Sequence, residues 1–146
     1  MKTFYLTVLA LAQFLFAVAQ EETKEVSQEE GITISVKIDN VKNNTGTVYF
    51  SLHTKDTFMR SDGVQKVQSK IKDNKVNVTF TNVPKGTYAI TCVHDENNNG
   101  RMDFDEGGMP KEDYGMSNNP MSYGPPEFGP SKFMVKDSDL NLKILL

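Results

Sequence analysis

Cysteine is nearly missing from this chain of 146 residues: Cys92 is the single one, so no disulfide can form within the chain. Basic residues are also short of any cluster. The 16 Lys and Arg are scattered among 19 Asp and Glu, which excludes the positive stripe that neutralises nucleic-acid phosphates. After the first twenty positions no apolar run approaches the roughly 20 residues that a helix needs to cross a bilayer. No stretch repeats its apolar residues with a helical period over a useful length. These absences leave a small all-β domain that must hold together by its core.

The N-terminus supplies the only long apolar run. MKTFYLTVLALAQFLFAVA has a basic start at Lys2, an apolar stretch from Phe4 to Phe16, and small residues at Ala17 and Ala19. Those three parts predict a secretory signal peptide over residues 1–19, cleaved after Ala19, and hence a periplasmic or secreted protein. Gln20 stands where a lipoprotein would carry cysteine, so no lipid anchor is expected. Its removal takes away only Lys2, leaving 15 basic and 19 acidic residues and a net charge of −4. Residues 20–31, QEETKEVSQEEG, are too polar to repay the entropy of ordering and are read as a flexible lead.

From residue 32 to 146 the pattern is that of half-buried strands. ITISVKI puts Ile32, Ile34, Val36 and Ile38 on one face. TVYFSLH turns Val48, Phe50 and Leu52 inward and Tyr49, Ser51 and His53 outward. VQKVQSKI is a weaker strand, joined through a turn at Asp73 and Asn74 to KVNVTFTN. TYAITCVH, SKFMVK and LNLKIL complete a set of about seven. The expectation is an antiparallel β-sandwich in the immunoglobulin or prealbumin manner. KDTFMRSDG reads as a polar connection or a single helical turn.

The strand TYAITCVH runs into DENNNGRMDFDE, a twelve-residue loop with the EF-hand spacing. Asp95, Asn97, Asn99, Asp103 and Glu106 occupy positions 1, 3, 5, 9 and 12, Gly100 occupies position 6, and Arg101 offers its carbonyl at position 7. Calcium takes six to eight oxygens at about 2.3–2.6 Å, and a tight loop can aim alternate side chains inward only while they are short. Gly100 permits the bend with positive φ, and Glu106 is long enough to return both carboxylate oxygens. One Ca2+ is therefore expected, with Asp105 as an outer contributor. No helix flanks the loop, so the ion's role is structural rather than that of an opening sensor. Three formal negative charges and two neutral Asn ligands point to a weak affinity, on the order of 10⁻⁴–10⁻³ M.

Residues 107–130, GGMPKEDYGMSNNPMSYGPPEFGP, are too rich in Gly, Pro and Asn for regular structure and too rich in Tyr, Phe and Met for a plain linker. They are read as folding back to cover the open end of the sandwich. The alternative is a surface for a glycan or peptide built on Tyr114, Tyr123 and Phe128. Cys92 and His94 share a strand face at about 7 Å spacing, which suits packing better than proton transfer. His94 is assigned to orienting Asp95 or capping the loop, and His53 no role. No catalytic residue is expected, and a metal-assisted hydrolase ranks last because it requires an open position on the ion.

Several of these runs together resemble an uncharacterised bacterial family of short exported proteins. The likeness rests on Tyr88–Ala89, His94 to Gly100, Gly108 to Gly115, Ser117 to Asn119 and the run PPEFGPSKF, with Thr87 as a departure. It implies a bacterial envelope or secreted setting and a prealbumin-like sandwich, and it implies no activity. The expected protein is a non-enzymatic exported module, its partner a protein, peptide or glycan, with no nucleic acid and no transmembrane segment after cleavage.

Overall fold

The computed structural model describes residues 31–121 and 124–146. The expected signal peptide, nearly all of the expected flexible lead and Tyr123 lie outside the described residues. The strands are β1 (Ile32–Ile38), β2 (Thr47–His53), β3 (Gln65–Ser69), β4 (Val76–Val83), β5 (Gly86–Asp95), β6 (Tyr114–Met116), β7 (Phe133–Val135) and β8 (Leu140–Lys143). A single helical turn, α1 (Phe128–Ser131), precedes β7. No described helix is long and apolar enough to cross a membrane.

Two sheets form the sandwich. One has the order β4-β1-β8, the other β3-β2-β5-β6, with β7 also paired to β5. Alternation in the strands places Ile34, Val36 and Ile38 of β1 and Val76 and Phe80 of β4 against Val48, Phe50 and Leu52 of β2 and Ile90 and Cys92 of β5. All of these are at most 2 % exposed. Each such side chain, fully buried, contributes about 1.5–3 kcal/mol by leaving water. The turn at Asp73 and Asn74 has φ of 53° and 58° at its two central residues, the twist that suits a two-residue hairpin. Only the Lys72–Lys75 bridge spans it, because β3 and β4 then diverge into different sheets.

The structure departs from the sequence expectation in four places. The described residues hold eight strands, because Tyr114–Met116 pairs with β5 inside the segment read as irregular. The sheets are not wholly antiparallel: β8 runs parallel to β1, with Ile34 opposite Leu140 and Lys37 opposite Lys143. His53 is on the outer face as expected but only 4 % exposed, since Phe58 packs edge-on against it at 5.6 Å. Finally, the segment after the loop covers the outer face of the second sheet, where Phe58, Ala89, Met116 and Phe128 form a second apolar cluster.

β5 is the axis of this arrangement. It pairs with β2 from Ala89 to Asp95 on one side. On the other it pairs with β7 from Gly86 to Tyr88 and with β6 from Thr91 to Val93. The gap between β6 and β7 is closed by Ser117, whose backbone N–H donates to the Ile90 carbonyl and whose Oγ accepts from Ile90 N–H, both at 2.9 Å. The same hydroxyl lies 2.6 Å from the Ser131 carbonyl and donates to it, tying α1 to β5.

Candidate metal centre

The C-terminal end of β5 delivers Asp95 into the acidic loop. Asp95 is 0 % exposed, and the chain winds around it: Oδ1 accepts from Asn99 N–H at 3.2 Å and Oδ2 from Gly100 N–H at 2.7 Å. Gly100 has φ +81° with nothing within 4 Å of an added Cβ, so conformation rather than crowding selects glycine there. Further along, Asn97 Oδ1 accepts from Asn99 N–H and Asn99 Oδ1 from Arg101 N–H, each at 3.0 Å. These short side-chain turns are what Asn favours, and they curl residues 95–101 into an arc.

Asp103 closes the arc. Its carboxylate accepts from the side-chain amides of Asn97 at 2.6 Å and Asn99 at 3.0 Å, with the Arg101 guanidinium 3.8 Å away. The Asn99 and then the Asn97 amide hold the Asp103 carboxyl below its ordinary pKa, so it stays ionised to lower pH than a free carboxylate. Asp95, Asn97, Asn99, Arg101 and Asp103 are thus brought to one place.

Glu106 is not with them. Residues 104–110 form a small separate hairpin, marked by the Phe104–Pro110 bridge, and Glu106 is exposed in its turn. Asp105 organises that turn: its Oδ1 accepts from Gly107 and Met109 N–H at 2.9 Å. The carboxylate that reaches the loop is Glu112, only 7 % exposed. Its Oε1 accepts from Glu96 N–H and its Oε2 from Asp103 N–H, both at 3.1 Å. One side chain therefore links the entrance and exit of the arc. Asp103 O accepts from Lys111 N–H at 2.9 Å, which brings residues 103 and 111 side by side. Glu112 lies beyond the twelve consecutive positions of the loop pattern, and the turn-forming run DEGGMP is the sequence signal of the hairpin between them.

The arc is also fastened to β2. Thr47, opposite Asp95 in the ladder, has its Oγ1 2.6 Å from Asn98 Oδ1, and Lys70 Nζ donates to Thr47 Oγ1 at 2.7 Å. Gly46, with φ +83°, lies so close that a Cβ there would fall 2.0 Å from the Asp95 carbonyl oxygen. On the opposite face of β5, His94 is fully buried and donates from Nε2 to the Thr45 carbonyl at 2.7 Å. Ligand atoms of His94, Glu96 and Asp113 lie within 4.8 Å of one another. Glu96 and Asp113 were not singled out by the sequence reading.

Among the described residues, the aromatic candidates Tyr114 and Phe128 do not share one surface. Phe128 packs edge-on against Phe58 at 5.7 Å, whereas Tyr114 is 40 % exposed. Tyr114 instead borders an apolar groove of about 200 Å³ with Met59, Met102, Phe104, Pro110 and Pro126.

Fold and loop together define a small two-sheet sandwich that carries an acidic, asparagine-rich arc at the end of its central strand. The chain belongs to the family described as an uncharacterized protein conserved in bacteria (DUF2141), whose model matches residues 36–143. Neither a curated protein nor a solved structure matches it.

Proposed function

We propose that the protein is an exported, non-enzymatic module whose arc from Asp95 to Asp103, closed by Glu112, holds one structural calcium ion. The observation that carries this reading is Glu112. A nearly buried carboxylate is brought across a hairpin to join both ends of a loop already lined by the side chains of Asp95, Asn97, Asn99 and Asp103. That set offers at least six oxygens and three formal negative charges, the donor type and number a hard dication takes. Asn97 Oδ1 and Asn99 Oδ1 each accept one backbone N–H and keep a second lone pair to offer an ion. Glu112 takes the terminal position assigned above to Glu106. The signal-peptide pattern of residues 1–19 supports export, where millimolar calcium suits a weak site.

Calcium binding only to the folded state at a hundredfold excess over Kd adds about 2.7 kcal/mol, a rise in thermal midpoint on the order of 10 °C. The expected result is that rise on replacing chelator with calcium, lost in Glu112→Gln and kept in Glu106→Gln. An unchanged midpoint in the intact protein removes the calcium reading. A rise lost in Glu106→Gln and kept in Glu112→Gln removes the assignment of Glu112.

A second reading, binding of a peptide or glycan, is favoured by the groove beside the loop. Met59 and Phe104 on its rim are 61 % and 58 % exposed, large apolar groups left in water beside Tyr114. In chemical-shift mapping against peptide and glycan panels, the expected perturbations gather on Met59, Phe104 and Tyr114. Perturbations confined to other surfaces exclude the groove.

A further inference from the structure

We propose a second metal site, for a transition-metal dication such as zinc, formed by His94, Glu96 and Asp113. It goes beyond the calcium reading and shares no proposed ligand with it.

Strand register builds the site. Tyr114 lies opposite Val93 and Gly115 opposite Cys92, so the next step places Asp113 opposite His94, and the Asp113 carbonyl accepts from His94 N–H at 2.9 Å. Directly opposed residues project to the same side of a sheet, and residues two apart on one strand do likewise. His94 and Asp113 therefore project to the same side, and Glu96, one residue past the end of β5, joins them, while Asp95 and Glu112 serve the arc. One ligand atom from each of the three lies within 4.8 Å of the others. Ligands about 2.0–2.2 Å from a common ion stand up to roughly 4 Å apart, so only a slight closure separates this cluster from coordination.

His94 supplies the independent sign of a ligand. A carbonyl oxygen only accepts, so the contact with Thr45 O puts the proton on Nε2 and leaves the Nδ1 lone pair free in the neutral ring. Nδ1 is buried and has no hydrogen-bond partner among the described residues. An imidazole that donates one N–H to a backbone carbonyl and presents the other nitrogen is the usual posture of a metal-ligating histidine. One nitrogen with two carboxylates favours zinc and its neighbours, whereas calcium and magnesium take oxygen. Glu96 and Asp113 are half-buried, which gives an ion access from solvent. Three protein ligands leave a position for water.

The test is a calorimetric titration of the tag-free full chain with Zn2+ alone, then in saturating calcium, with Co2+ as a spectroscopic probe. One zinc per chain is expected in both conditions, with a visible Co2+ absorption band that zinc abolishes. His94 is buried and its loss endangers folding, so the double variant Glu96→Gln, Asp113→Asn is the informative one. It should weaken zinc binding at least tenfold while keeping the calcium-induced rise in midpoint. Absence of zinc binding, unchanged affinity in the double variant, or loss of zinc binding in saturating calcium overturns the proposal. A failed calcium response with intact zinc binding overturns only the calcium reading.

Discussion

His53 shows how a single side chain records the covering of the outer sheet face. Its Nδ1 is 3.2 Å from the Thr57 carbonyl and its Nε2 3.2 Å from Thr91 Oγ1, an arrangement that suits a neutral ring donating at one end and accepting at the other. Burial lowers its pKa from the ordinary imidazole value, against a smaller opposing effect of the Thr57 carbonyl. The folded state thus binds this proton less readily than the unfolded chain. Its contribution to stability is complete above about pH 6.5 and is lost as pH falls through the folded value. The thermal midpoint should fall on acidification from pH 7.5 to 5, and the gap between the protein and His53→Gln should narrow over that range. A gap that stays constant or widens contradicts this account. Cys92 is the opposite case: burial, slightly offset by a hydrogen bond with the Gly115 backbone, pushes its thiol up to about 12. It remains a protonated apolar filler, as its place on an alternating strand suggested.

Among the elements, β6 is the one that tertiary pairing creates. Three residues, Tyr-Gly-Met, carry no period that could announce a strand, and the strand exists because β5 offers an edge between Thr91 and Val93. Gly115 makes the fit close: a Cβ would fall 2.2 Å from the Leu145 carbonyl oxygen and 2.8 Å from Ile144 Cγ2. Gly115→Ala should therefore destabilise by about 1–3 kcal/mol through overpacking, read as a lower denaturant midpoint. An unchanged midpoint means that the C-terminal segment yields freely. β1, β2, β4 and β5 were legible because each turns one face to a single core, and that face alternates. What stayed hidden depends on how a connection folds back on the residues just before it: the covering of His53 by Phe58, and the return of Glu112 across the hairpin. The arc itself was legible through Asp103, because local side-chain turns shape it.

At the scale of the molecule, the arc is anchored to several strands at once. Thr47 begins β2, Lys70 directly follows β3, Asp95 ends β5, and Glu112 lies two residues before β6. If the proposed calcium ion binds there, its stabilisation should consequently appear in the cooperative unfolding of the whole domain, as one shifted transition rather than a separate early one. Two transitions, only the earlier of which responds to calcium, contradict this coupling. The choice of sheet for each strand was beyond sequence periodicity, which reports a buried face and not a neighbour. The placement of β8 beside β1 has a mechanical consequence. The two run parallel, so tension applied between the start of β1 and the end of β8 loads their ladder in shear, and its bonds must yield together. An antiparallel pair pulled from adjacent ends would unzip one bond at a time, so this topology sets the domain to resist stretching along its first and last strands.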